Sequence, residues 1–148
     1  MGEIFVNNST LIIFLHILSA IIWIGGMILM RFSLHYILPQ IEAPHNRVFI
    51  ALGVMKKFFN IVIISIFLLI ITSVFMSIGF GFKGTELSYI VHIKEFIWTV
   101  MTINFIFIFI KREKAQKLFN ADDIKSSALT LKPISTWMIP LNIVLGLV

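Results

Sequence analysis

The chain of 148 residues contains no cysteine and little charge: only 13% of its residues are charged, with 7 acidic residues against 12 Lys and Arg. The absence of cysteine excludes disulfides, zinc fingers, thiolate ligation of haem and Cys-x-x-Cys copper relays. Imidazole, thioether and carboxylate groups remain as candidate metal ligands. The sequence also lacks the motifs of a Ser or Cys nucleophile, a phosphate-binding loop or a nucleic-acid surface.

The first ten residues contain no Lys or Arg, so the chain lacks the basic start of a secretory signal. The apolar run that follows is too long for a signal, and no small-residue cleavage site follows it. We therefore expect this run to be a permanent membrane span. The net charge of +5 comes from basic residues at the ends of apolar runs, where they orient spans, which points to a lipid bilayer and not to nucleic acid as the partner.

Apolar residues dominate the composition, with 59% hydrophobic residues and a mean hydropathy of +1.01. A soluble domain of this size could not bury so much apolar surface. Because lipid cannot satisfy open backbone groups, runs of about 20 apolar residues cross a membrane as helices. We predict an all-α, polytopic membrane protein with a single domain over residues 1–148, folded as a four-transmembrane-helix bundle. The predicted spans are residues 11–30, 58–80, 88–110 and 133–148.

Two features of these boundaries leave alternatives open. The fourth run is still apolar at Val148 and has no polar flank, which favours a helix cut short over one that is tilted or broken near Pro140. The connecting segments 31–57 and 111–132 place apolar residues at helical spacing. They are either extensions of the spans or helices lying at the interface.

The charge distribution predicts the orientation. The side of the membrane that holds segments 31–57 and 111–132 has ten of the twelve basic residues, and the other side has only Lys83 and Lys94. The positive-inside rule then places both segments in the cytoplasm and both termini outside, which means the periplasmic side of a bacterial inner membrane. The ten basic residues are Arg31, Arg47, Lys56, Lys57, Lys111, Arg112, Lys114, Lys117, Lys125 and Lys132.

Two histidines lie inside the spans, where a titratable ring is costly and usually marks a site. His16 is six residues beyond Thr10 and His92 is four beyond Ser88, so they lie about 9 and 6 Å deep at about 1.5 Å per residue. Both helices start on the outer side, which predicts a site between the first and third spans in the outer half of the bundle.

Other residues on these two spans complete the predicted site, and each has a simpler interpretation. Trp23 shares a helix face with His16, and the pair Gly25-Gly26 makes room for a close helix or a flat ligand. Trp23 is also a normal core residue, Lys94 can snorkel to the surface, and a histidine as near a span end as His92 is often bonded only to water or a carbonyl.

The sequence resembles two related families in the order and length of its spans. The first span, with its histidine followed by Trp-Ile-Gly-Gly, resembles the membrane domain of copper-resistance D (CopD) proteins. The third span resembles the His-x-Lys opening of the third helix in HemJ-type protoporphyrinogen oxidases. The HemJ group has a longer aromatic and Pro-Arg pattern after the first-span Trp, where this chain has Gly25-Gly26-Met27. A CopD-like relative that shares the haem site is therefore favoured.

The resemblance implies a function as well as a fold. The HemJ group binds b-type haem through a first-span histidine, which corresponds to His16, and needs a third-span lysine, which corresponds to Lys94. That group oxidises protoporphyrinogen IX to protoporphyrin IX, so a haem-dependent oxidoreductase is the enzyme class that the resemblance implies. The CopD group is linked to copper handling.

Three hypotheses follow. The first is a redox protein that holds b-type haem or a redox metal, with His16 as axial ligand, His92 as second ligand or hydrogen-bond partner, and Lys94 paired with a propionate or an anionic substrate. The second is copper transport or homeostasis, with Met27 and Met30 as additional ligands, although methionines at this spacing more often belong to a core. The third is a non-catalytic membrane subunit. A porphyrin, a quinone and a second copy of the chain are the candidate partners besides lipid.

Overall fold

A computed structural model describes residues 2–81 and 88–148, with side chains from Val6 onward, so Lys83 lies outside the described residues. Within these ranges the chain folds into four long helical spans that are apolar enough to cross a membrane. This confirms the predicted all-α, multi-pass membrane fold. The spans are Val6–Gln40, Pro44–Gly79, Ser88–Asn120 and Ile124–Leu147.

Span 1 and span 4 contain irregular turns, whereas span 2 and span 3 are single helices. Span 2 is α3 (Pro44–Gly79) and span 3 is α4 (Ser88–Asn120). Span 1 combines α1 (Gly2–Leu29), a π-helical turn (Met30–Leu34), α2 (His35–Ile37) and a 3₁₀ turn (Leu38–Gln40). Span 4 combines α5 (Ile124–Pro133), a second π-helical turn (Ile134–Met138) and α6 (Ile139–Leu147).

The helices continue well beyond the hydrocarbon lengths predicted from the sequence. Helix α3 has 36 residues, which at about 1.5 Å per residue gives about 54 Å, against about 30 Å of hydrocarbon. Segments 44–57 and 111–120 are thus extensions of the spans, and the connections shrink to residues 41–43 and 121–123. We call the end of the bundle that contains these two connections the basic end.

The spans run antiparallel around a ring. Span 1 and span 3 each pack against span 2 and span 4, so span 1 and span 3 lie on a diagonal. At the centre, the ring of Phe105 from α4 contacts Trp23 of α1 and Phe59 of α3 edge-on, with centroid distances of 6.2 and 5.3 Å. These buried aromatic rings bring spans 1, 2 and 3 together at one level of the bundle.

Buried amides join span 3 to span 4. The side-chain nitrogen of Asn104 donates to Asn142 Oδ1 and to the carbonyl of Met138, both at 2.8 Å, and Asn142 donates to the carbonyl of Met101 at 3.2 Å. Within hydrocarbon such bonds hold helices in register because the amides have no water to bond instead.

The basic end has its own polar contacts. Arg112, predicted from the sequence to flank the third span, is buried and donates to the carbonyl of Leu52 on α3. The turn that follows α4 places Asp122 at positive φ (62°). The next residue, Asp123, caps α5 by accepting from the Ser126 amide, and hydrogen bonds from Ser126 lower the pKa of Asp123.

Candidate functional site

His16 forms a hydrogen bond between spans. Its Nδ1 lies 2.8 Å from Oγ1 of Thr72, which is buried on α3. The His16 ring itself is half-buried, on the face of α1 that points towards span 2. The partner therefore comes from the second span, whereas depth matching pointed to the third.

The Thr72 hydroxyl determines which His16 nitrogen carries the proton. That hydroxyl has one hydrogen, and its oxygen lies 2.6 Å from the carbonyl of Leu68, one turn earlier on α3. Because a carbonyl can only accept, Thr72 donates to Leu68 and its oxygen accepts from His16 Nδ1–H. Nδ1 therefore carries a hydrogen, and in the neutral ring the lone pair lies on Nε2, which has no hydrogen bond among the described residues.

Two buried indole N–H groups, one on span 1 and one on span 3, lack acceptors. Trp23, seven residues beyond His16 on α1, is 1% exposed, and Trp98 is half-buried on α4. Neither Nε1 has a hydrogen-bond partner within the described parts of the chain. A buried donor without an acceptor costs free energy that a ligand oxygen would recover.

Lys94 brings a positive charge to this end of the bundle. It lies four residues before Trp98 on α4 and close enough to His16 for its charge to act on that ring. Its side chain is exposed, which fits both a snorkelling lysine and a cation at the mouth of a site. The lysine and the first-span histidine thus lie at the same end of the bundle, on spans 3 and 1.

His92 points away from the packed interior. Its side chain is 74% exposed, and its Nδ1 lies 3.1 Å from the Glu95 carboxylate, which is also exposed. No hydrogen bond or ring contact joins His92 to His16 in the described part of the structure. A ligand role for His92 stays a prediction: the contact with Glu95 uses Nδ1 and leaves Nε2 available, but the exposed ring does not reach the His16 side chain.

The two adjacent glycines have different surroundings. A Cβ on Gly26 would overlap the Phe58 ring of α3, so Gly26 allows a close approach between span 1 and span 2. Gly25 is exposed on a neighbouring face of α1, with only an Ile21 methyl group at 4.0 Å from its Cβ position. The space at Gly26 is therefore occupied by a helix side chain and is not available to a flat ligand.

Thr72 is the functional residue that sequence reasoning did not assign. It lies seven residues before Gly79, the last residue of α3, which puts it about 10 Å from that end of the helix. That depth is similar to the one calculated for His16. The same depth comparison on the second span selects the level of Thr72 but does not distinguish it from the adjacent Ser73.

The donor set for metals is small. No group of three or more His, Asp or Glu side chains able to hold a metal ion occurs among residues 2–81 and 88–148. Met27 and Met30 are buried, but they lie about 16 and 21 Å along the helix from His16 at about 1.5 Å per residue. A group that needs only one protein ligand fits this arrangement better than an ion that needs several.

Comparison of the chain with protein-family models, with curated proteins and with solved structures gave no match.

Proposed function

We propose that the chain is a membrane redox protein that binds b-type haem through His16 at the end of the bundle opposite the basic end. The observation that carries this proposal is the His16–Thr72 hydrogen bond. It occupies Nδ1 and leaves Nε2 as the nitrogen whose lone pair, in the neutral ring, can ligate iron. The bond also fixes the orientation of the ring and raises the basicity of Nε2.

The surrounding residues fit the rest of a haem. Lys94 supplies a cation that pairs with a propionate. The unpartnered indole N–H groups of Trp23 and Trp98 supply donors in the apolar interior. When bound, haem supplies one-electron redox chemistry, whose potential depends on the axial ligand and on the burial of the ring. Among the chain's own residues, Thr72 orients the His16 ring and accepts the hydrogen on its Nδ1.

Orientation is part of this proposal. With ten of the twelve basic residues on segments 31–57 and 111–132, the positive-inside rule places the basic end in the cytoplasm and His16 in the outer half of the membrane. A site held by His16 would then be accessible to electron-transfer partners from the outer side. Copper handling is less well supported, because no group of three or more His, Asp or Glu side chains able to hold a metal ion occurs among the described residues.

Absorption spectroscopy of the purified protein tests the proposal. After expression with excess haem, the detergent-solubilised wild type should show a Soret band at about one haem per chain. The variant His16→Ala should lose it, and the matched variant His92→Ala should retain it. Helical content by circular dichroism, unchanged in both variants, controls for folding.

Two results would overturn the haem proposal. One is a wild type that takes up no haem during expression or on later titration with haemin. The other is a His16→Ala variant that binds haem as tightly as the wild type. Metal analysis of the same samples tests copper, and loss of the band in both histidine variants would instead favour ligation by His16 and His92 together.

A further inference from the structure

A cleft at the basic end lies between spans 1, 2 and 4, far from His16. Its cavity volume is about 180 Å³, and its walls are mostly apolar. A cavity of about 150 Å³ holds a molecule the size of benzene, so this one holds a headgroup or the first part of an acyl chain, but not a whole lipid. Both π-helical turns line it, through Met30, Arg31 and Leu34 on one side and Ser135 on the other.

Four basic side chains and no carboxylate line this cleft: Arg31, His35, Arg47 and Lys132. Arg47 donates to the carbonyls of Ile41 and Pro39. These bonds stabilise the connection between span 1 and span 2 but leave the charge of Arg47 without a counter-ion. None of the four belongs to an ion pair within the described residues, where the two pairs present are His92–Glu95 and Arg112–Glu113. Positive charge accumulates here with no internal counter-charge.

Arg31 is the residue that indicates a ligand. Its Nη1 is buried and has no hydrogen-bond acceptor among the described residues. A buried guanidinium N–H without an acceptor is costly, and a phosphate oxygen is the acceptor that a guanidinium pairs with best. The turn that carries Arg31 is a π-helix, a departure from regular helix that often occurs at functional sites.

We infer that this cleft binds the headgroup of an acidic phospholipid. The ligand must combine negative charge with apolar chains, because the cationic groups stand among apolar walls at the border of the hydrocarbon. Exposed apolar side chains on the same helical turns, among them Phe32, Tyr36 and Leu129, offer a surface on which the acyl chains can lie. Basic pockets between spans are the usual form of such sites.

Native mass spectrometry of the full chain in detergent, with added phosphatidylglycerol or phosphatidylcholine, tests this inference. The wild type should retain phosphatidylglycerol preferentially. One basic residue near a headgroup usually contributes about 1 kcal/mol to binding. Arg31→Gln or Lys132→Gln should therefore lower the affinity for phosphatidylglycerol about fivefold, and the double variant should lower it about thirtyfold. The matched variant Lys117→Gln, which removes an exposed charge outside the cleft, should bind as the wild type does.

Equal affinity of the wild type for the two lipids, or unchanged binding in the double variant, would overturn the inference. Displacement of the lipid by millimolar inorganic phosphate would show a site for free anions and would also overturn it. If the double variant does not fold, the salt dependence of lipid binding by the wild type tests the inference. The preference for the acidic lipid should fall as the salt concentration is raised, because screening weakens charge pairing. Haem binding should be unaffected, since His16 lies at the other end.

Discussion

Replacing Thr72 by Val is the sharpest perturbation of the candidate site, because it changes one hydroxyl for a methyl group of similar size. The change removes the acceptor that lies 2.8 Å from His16 Nδ1. It also removes the bond from Thr72 to the Leu68 carbonyl. That loss costs little stability, because the carbonyl keeps its backbone hydrogen bond within the helix. The His16 ring then loses what fixes its orientation and tautomer.

The expected magnitude follows from two separate effects. One interhelical hydrogen bond inside a membrane contributes on average about 0.6 kcal/mol and at most about 1.7 kcal/mol, so the fold should survive. Loss of a partner that orients a ligating histidine costs about 10-fold to 100-fold in affinity for the bound metal group. Thr72→Val should therefore weaken haem binding by one to two orders of magnitude at nearly unchanged stability.

Haem titration followed at the Soret band, together with thermal unfolding in the same detergent, measures both effects. Thr72→Ser should restore most of the affinity because it keeps the hydroxyl. Thr130→Val is a matched control, since Thr130 makes the same bond to a carbonyl one turn earlier but lies on α5 at the basic end. Wild-type affinity and an unchanged spectrum in Thr72→Val would refute the reasoning that His16 ligates through Nε2.

Three further predictions concern the fold. Gly26→Ala should destabilise the bundle by about 1–3 kcal/mol, because the new methyl group overlaps the Phe58 ring. Gly25→Ala should be neutral or stabilising, because its new methyl group has no close contact. Equal unfolding temperatures for the two variants would contradict this. Asn104→Leu should cost about 1–2 kcal/mol in an unfolding assay, because two interhelical bonds are lost; an unchanged transition would contradict it. Because the pKa of Asp123 is lowered in the fold, its stabilising effect on α5 should be present above the ordinary carboxyl pKa and disappear as pH falls through the lowered one. Amide exchange at the start of α5 measures this, and Asp123→Asn should abolish the pH dependence.

Apolar run length was enough to predict the number and order of the spans. It was not enough to find where the helices end, because a helix can continue past the hydrocarbon into water. Segment 44–57 continues α3 although it contains Arg47, Lys56 and Lys57. Helical spacing of its apolar residues indicated this, but the same spacing also suits an interfacial helix. The contacts with neighbouring spans, such as the bond from Arg112 to Leu52, distinguish the two.

Depth along the membrane predicted the level of His16 but not its partner. Residue counting gives a position along each helix, and the partner also depends on which helices are neighbours and how each is rotated. The pair His92–Glu95 is within one helix and could be read from its i, i+3 spacing. The pair His16–Thr72 depends on the packing of span 1 against span 2, which no local pattern encodes.

The distribution of unpartnered buried donors separates the two proposed sites physically. In hydrocarbon, a donor without an acceptor has no water to compensate it, so each one destabilises the empty bundle unless a ligand accepts from it. Trp23 and Trp98 carry such donors on the two spans that bear His16 and Lys94, and Arg31 and Arg112 each carry one at the basic end. His16 adds a ring nitrogen without a hydrogen bond at the first end, and Arg31 lines an apolar cleft that has basic side chains and no carboxylate. A ligating imidazole favours a metal group, whereas a set of basic side chains favours an anion. The two proposals therefore place a metalloporphyrin at one end of the bundle and an anionic headgroup at the other.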